Sequence, residues 1–133
     1  WEMLQRLRAQ GLTIMVSTPY MDEAARCGRI ALMQSGHILQ VDSPEGIKAS
    51  YPHTLWAVRS ERMIPLLRDL RQSPEVETAY SFGESYHVTL RAGSQGVEAL
   101  RTSLHRAGHT SVSIEQISPS VEDCFMALHP SAS

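Results

Sequence analysis

Hydrophobic positions change their spacing several times along this chain, and each change marks an element. Leu4 and Leu7 share one helical face with Trp1, which predicts an amphipathic helix over residues 2–10. Gln10-Gly11 ends it, because glycine readily takes the left-handed turn that closes a helix. Leu12-Thr13-Ile14-Met15-Val16-Ser17 is then apolar without clean alternation, the pattern of a strand covered on both faces as in a parallel sheet. Residues 21–27 predict a short helix whose first turn carries Asp22 and Glu23, where the helix dipole favours negative charge. Arg29-Ile30-Ala31-Leu32-Met33 and Ile38-Leu39-Gln40-Val41 flank Gln34-Ser35-Gly36-His37 and read as a hairpin. Ser43-Pro44-Glu45 starts a further helix, with serine as cap and proline in its first turn.

Tyr51-Pro52-His53 breaks that helix and marks a boundary, after which the order is regular. Residues 55–59 predict a strand, and Ser60 is placed as the cap of a helix carrying Ile64, Leu67 and Leu70, with Pro65 near its start. Val76, Thr78, Tyr80 and Phe82 alternate, as do Tyr86, Val88 and Leu90, across a turn at Gly83-Glu84-Ser85. Ser94 is the expected cap of a helix presenting Val97, Leu100, Leu104 and Ala107, closed by Gly108. Val112, Ile114 and Ile117 predict a last strand. The resulting βαββαβ order is that of a ferredoxin-like unit, four antiparallel strands with two helices on one face. A final helix is expected after Ser118 or Ser120, with Val121, Phe125 and Leu128 at helical spacing, and Pro130-Ser131-Ala132-Ser133 as a frayed tail.

Composition narrows the partners more than the fold. With 133 residues there is room for one compact domain, or a small domain and part of another. Twelve basic and fourteen acidic residues leave a net charge of −2, so nucleic acid is not an expected partner. Cys27 and Cys124 read as buried thiols of a reducing compartment rather than as a disulfide framework. No window approaches the length of a membrane span, and the N-terminus lacks a basic region followed by an apolar stretch. A start at Trp1, with no initiator methionine, leads us to expect further sequence upstream.

The run Gly11-Leu12-Thr13-Ile14-Met15-Val16-Ser17-Thr18-Pro19-Tyr20-Met21-Asp22-Glu23-Ala24 resembles the end of the ATPase of an ATP-binding-cassette (ABC) transporter. There, an apolar strand leads through Ser/Thr to a switch histidine and then to a short acidic helix. Cys27-Gly28-Arg29-Ile30-Ala31-Leu32-Met33 with Gly36-His37-Ile38-Leu39 looks like the hairpin that follows, although Gly28 stands where the family often has an acid. Asp42-Ser43-Pro44-Glu45-Gly46-Ile47 is similar to the family's Gly-Thr/Ser-Pro helix start. Ser118-Pro119-Ser120-Val121-Glu122-Asp123-Cys124-Phe125 resembles the closing motif of bacterial drug- and polysaccharide-export cassettes with a C-terminal appendage. The resemblance implies an α/β fragment over residues 1–50, the incomplete tail of a P-loop ATPase cassette. The α+β ferredoxin-like accessory domain would then occupy residues 54–130.

The family's other machinery is absent from the sequence. A phosphate-cradling loop needs Gly-x-x-x-x-Gly-Lys-Ser/Thr, so that backbone N–H groups, a lysine and a magnesium-binding hydroxyl converge. No such run occurs here, nor does the signature motif or an apolar strand ending in Asp-Glu. The resemblance therefore implies a chain that does not hydrolyse ATP alone and holds no cofactor, within a parent subunit that uses ATP and magnesium. No residue is a catalytic or metal-binding candidate; Ser17, Thr18 and Pro19 are those placed nearest the nucleotide in the parent. Pro19 occupies the switch-histidine position, and proline offers neither a titratable ring nor a backbone N–H. Either the parent's site is slow or degenerate, or a neighbouring group substitutes. Expected partners are the rest of the cassette, a second cassette and transmembrane permease subunits, with the subunit peripheral on the cytoplasmic face of the membrane.

Other polar groups have plainer readings. His105 and His109 stand at metal-chelating spacing, but Gly108 interrupts the helix between them, so a solvated helix end is expected. Asp22 and Glu23 are adjacent on a helix and point apart, which suits dipole charge rather than a catalytic pair. The arginines at 59, 62, 68 and 71 suggest an exposed face. Trp1 and Trp56 are assigned to core or interface, Trp1 against the rest of the cassette. Residues 1–50 would hold only part of a sheet, and the exposed apolar surface leads us to expect self-association. The competing function is a stand-alone ferredoxin-like sensor of small ligands or dimerisation module, but such a module has no use for residues 11–24. An RNA-recognition sheet finds weak support in Tyr80, Phe82 and Tyr86 and none in the net charge.

Overall fold

The structure is a computed structural model that describes residues 1–128, so the expected frayed tail from Pro130 lies outside the described residues. It is a mixed α/β arrangement with two antiparallel sheets. In chain order the elements are α1 (Glu2–Ala9), α2 (Met21–Ala24), β1 (Ile30–Gln34), β2 (His37–Asp42) and α3 (Pro44–Ala49). There follow β3 (Leu55–Ser60), α4 (Met63–Gln72), β4 (Val76–Phe82), β5 (Ser85–Leu90), α5 (Val97–Arg106), β6 (Val112–Ile117) and α6 (Val121–Ala127).

From residue 55 the strands form one antiparallel sheet in the order β4-β5-β3-β6. Both α4 and α5 pack on the same face. Their Leu66, Leu70, Leu100 and Leu104 close over Val58, Val76, Ala79 and Val88 in one buried cluster. Ile64, assigned to the core of α4 by its spacing, is 90 % exposed, and Leu66 takes its place. The apolar residues of this helix are crowded enough for two faces to look alike, and only the sheet selects between them. The helix caps also differ from those expected. Arg62 precedes α4 without a side-chain cap, and Gly96, at φ 94°, precedes α5 where Ser94 was expected. Ser60 Oγ instead accepts the Arg62 N–H.

The alternation of β4 is broken by an irregularity between Val76 and Thr78, opposite Leu90 and Thr89. One extra residue reverses the side on which later side chains fall. Val76 and Ala79 therefore face the helices, whereas Tyr80 pairs with His87 on the face opposite α4 and α5.

A second buried cluster lies apart from the sheet and its two helices. Ile30 and Leu32 from β1 and Ile47 from α3 are buried, with Met21, Ala24, Cys27, Leu39 and Tyr51 around them. Val121 and Cys124 of α6 complete this cluster, so the last helix of the chain returns to the first fifty residues. Ser120 is its cap, in a reciprocal arrangement with Asp123 that satisfies two otherwise unpaired N–H groups.

The strand expected over residues 12–17 does not form; they have no regular secondary structure. A strand exists only through the partners of its N–H and C=O groups, and among the described residues no strand pairs with this run. Leu12 and Val16 are exposed, and Met15 is 96 % exposed.

Candidate functional site

The segment that carries the family resemblance is held by its own side chains. Thr18 Oγ1 donates to Glu23 Oε1 at 2.6 Å and accepts the Tyr20 N–H at 3.0 Å. These bonds clamp the bend at Pro19 and deliver the chain into α2, whose preceding residue Tyr20 supplies no side-chain cap. Ser17 and Pro19 are exposed and Thr18 is half-buried. Below them, Met21, Ala24 and Cys27 anchor the short helix on the second buried cluster.

On the other side α1 rests against this region. The Arg26 guanidinium lies 4.9 Å from the centre of the Trp1 ring, and Gln5 Nε2 donates to Arg26 O at 3.4 Å. A side chain at Gly28 would meet the Arg8 guanidinium, with a Cβ 3.1 Å from Nη1.

The chemistry available here is limited. Pro19 contributes no proton and no N–H, and the carboxylate of Glu23 is engaged by Thr18. Among the described residues, no three His, Cys, Asp or Glu side chains gather in a way that could hold a metal ion.

Away from it, two histidines lie in polar chains that sequence spacing did not reveal. His109 was expected at a solvated helix end, yet it is fully buried. Its Nε2 meets Asp69 Oδ2 at 2.7 Å and its Nδ1 meets Ser60 Oγ at 2.6 Å. Burial works against ionisation of Asp69, but the hydrogen bonds from His109 and Arg68 outweigh it and hold its carboxyl below the usual range. An ionised Asp69 only accepts, so Nε2 donates to it. Although Ser, His and Asp are the residues of a hydrolytic triad, a ring without solvent access cannot meet a substrate. This chain ties the end of β3, helix α4 and the turn before β6 together. Glu61 supports the same turn by accepting the Thr110 and Ser111 N–H groups. His105, by contrast, is exposed.

The second histidine, His87, lies on the face of the sheet opposite α4 and α5. Phe82 stacks on it at 4.2 Å, and its Nδ1 is 2.8 Å from Asp123 Oδ1. This bond joins the four-stranded sheet to α6. Tyr51 stands nearby, and burial, with the negative charge of Asp123 adding to it, pushes its pKa up to about 12. In the sequence Ser118 and Ser120 are both cap candidates; the structure selects Ser120, whose reciprocal bond with Asp123 fixes that carboxylate without announcing its partner.

Comparison with known proteins bears on nearly the whole chain. No family model matches the chain. The probable multidrug ABC transporter ATP-binding protein YbhF of Escherichia coli K12 is 28 % identical over 131 residues, covering 96 % of this chain and 22 % of that protein. The Nod factor export ATP-binding protein I of Bradyrhizobium diazoefficiens is 26 % identical over 133 residues, covering 96 % of this chain and 40 % of its own length. That of Rhizobium sp. N33 is 29 % identical with the same coverage. The chain thus spans between about a fifth and two fifths of the curated relatives it matches. Nearly the whole chain is similar to ATP-binding proteins of ABC transporters, in keeping with the likeness of residues 11–24 to the C-terminal portion of such a subunit.

Proposed function

We propose that this chain serves as the C-terminal portion of the ATP-binding subunit of an ABC export transporter. Residues 1–50 are the end of the ATPase cassette, and residues 54–130 are a ferredoxin-like accessory domain that promotes cassette dimerisation or regulates its closure. The observation that carries this reading is the likeness over 96 % of the chain to export ATP-binding proteins. The antiparallel order β4-β5-β3-β6, with both helices on one face, supports the ferredoxin-like assignment.

Helix α6 gives the accessory domain its leverage. It fills the second buried cluster with Val121 and Cys124 while Asp123 holds His87 of the sheet. A domain can bias closure only by contacting the closed and open states differently, and α6 is a rigid means of transmitting such a difference. In this reading ATP, magnesium, the second cassette and the permease subunits belong to the parent subunit. The chain alone neither binds nor hydrolyses nucleotide. Ser17, Thr18 and Pro19 approach the nucleotide in the parent, and with Pro19 at the switch position either its turnover is slow or a neighbouring group takes the place of the histidine.

The test uses the intact subunit with residues 55–117 replaced by a flexible linker, so that α6 stays on its core. ATP-dependent dimerisation, followed by sedimentation, falls if the accessory domain has the proposed role. Dimerisation and turnover equal to those of the parent would overturn it. Calorimetric binding of magnesium ATP by the 133-residue chain would overturn the assignment of the nucleotide site to other parts of the subunit.

A further inference from the structure

An open groove of about 800 Å³ lies between α6 and the face of the sheet opposite α4 and α5, with Tyr51-Pro52-His53-Thr54 along one side. Its volume falls within the range of small-molecule sites. Tyr51, Glu77, Tyr80, His87, Asp123 and Met126 define its character. Three aromatic rings, Trp56 beside the two tyrosines, and a thioether supply polarisable surface; two carboxylates supply negative charge, His53 and His87 also line the groove, and no lysine or arginine is among the lining residues.

The polar end of the groove is preformed. Asp123 is buried, holds His87 at 2.8 Å and accepts the N–H and O–H of Ser120 at 2.8 Å each, so its position does not depend on a ligand. The stacked Phe82 fixes the plane of His87. Glu77 remains exposed, and its nearest cation, Arg91 at 3.9 Å, is not part of the lining. A site of this kind repels anions and offers ring faces to a cation.

We propose that this groove binds a hydrophobic organic cation of the aromatic ammonium or phosphonium class, seated against Tyr51 and Tyr80 with its charge toward Glu77. The site is independent of the nucleotide-related segment at residues 17–24. Its existence does not require the chain to belong to an ATPase.

Rhodamine 6G, a planar aromatic cation, is the probe, and its fluorescence anisotropy is titrated with the full 133-residue chain. Saturable binding with one dye per chain is expected. Tetraphenylphosphonium should displace the dye, whereas tetraphenylborate, of the same shape and opposite charge, should not. Glu77→Lys, an exposed change expected to leave the fold intact, should weaken binding at least fivefold. Tyr80→Ala should weaken it by about two- to fivefold and Tyr80→Phe should not, as expected for contact with a ring face. Near-ultraviolet circular dichroism checks that each variant is folded. Absence of saturable binding below 1 mM overturns the proposal, as does displacement by tetraphenylborate equal to that by tetraphenylphosphonium. An affinity unchanged in Glu77→Lys would place the dye elsewhere, on exposed apolar surface, and overturn it equally.

Discussion

Replacing Asp69 by alanine isolates the cost of stranding one buried ring nitrogen. His109 has no solvent exposure, and its two nitrogens are used at 2.7 Å by Asp69 and at 2.6 Å by Ser60. The Asp69 side chain lies at the rim, 11 % exposed, so its truncation opens little enclosed space. What remains is a buried donor that has lost its charged partner, a loss of about 1–3 kcal/mol. The second bond of Asp69, to Arg68 at 3.4 Å, is exposed on the arginine side and adds little. A destabilisation of ~2 kcal/mol lowers the thermal midpoint of a domain this size by roughly 8 °C. Urea denaturation at a protein concentration where the midpoint no longer depends on concentration gives the value, provided the slope m is unchanged.

A companion variant makes the inference strict. In Asp69→Ala with His109→Leu, both polar partners are gone and the volume of the ring is largely kept, so the pair should be less destabilised than the sum of the singles, by at least 1 kcal/mol. Because the native Asp69 carboxyl is held below its ordinary pKa, its contribution is present above about pH 4. It is lost as the pH falls through the folded value, so the difference between the parent and Asp69→Ala should narrow in acid. A change within 0.5 kcal/mol for Asp69→Ala, or strict additivity in the double variant, would refute the buried-donor argument.

Other consequences can be checked as directly. Ile47→Ala empties a fully buried position between α3 and α6 and should cost about 2–5 kcal/mol, measured by denaturant unfolding. Cys124 is buried, donates to Ile47 O at 3.5 Å, and burial with the adjacent Asp123 raises its pKa to about 11, so iodoacetamide at pH 8 should modify Cys27 first. Mass spectrometry that finds Cys124 labelled at the same rate as Cys27 in the folded chain would contradict the burial of α6. The exposed apolar side chains of Leu12, Met15, Val16, Met33, Ile38 and Val41 should drive the isolated chain to self-associate, and a monomer in sedimentation velocity at 50 μM would oppose this.

Local pattern determined much of this molecule. The spacing of Leu100 and Leu104, the Ser120-x-x-Asp123 cap and the turn at Gly83 follow from short-range chemistry, and α5, α6 and the β4–β5 hairpin stand near where that chemistry puts them. The family likeness was also legible, because it rests on a contiguous run, residues 11–24. Tertiary structure decided everything that depends on who is next to whom. A register irregularity at Val76, invisible in an alternating run, put Tyr80 on the face opposite α4 and α5 and so made the groove. His109 is four residues from His105, but its partners, Asp69 and Ser60, are forty and forty-nine residues away, and only the closed sheet brings them within reach. Residues 12–17 have the side chains of a strand and no ladder partner among the described residues; hydrophobic pattern offers a strand, but hydrogen-bonded neighbours make one.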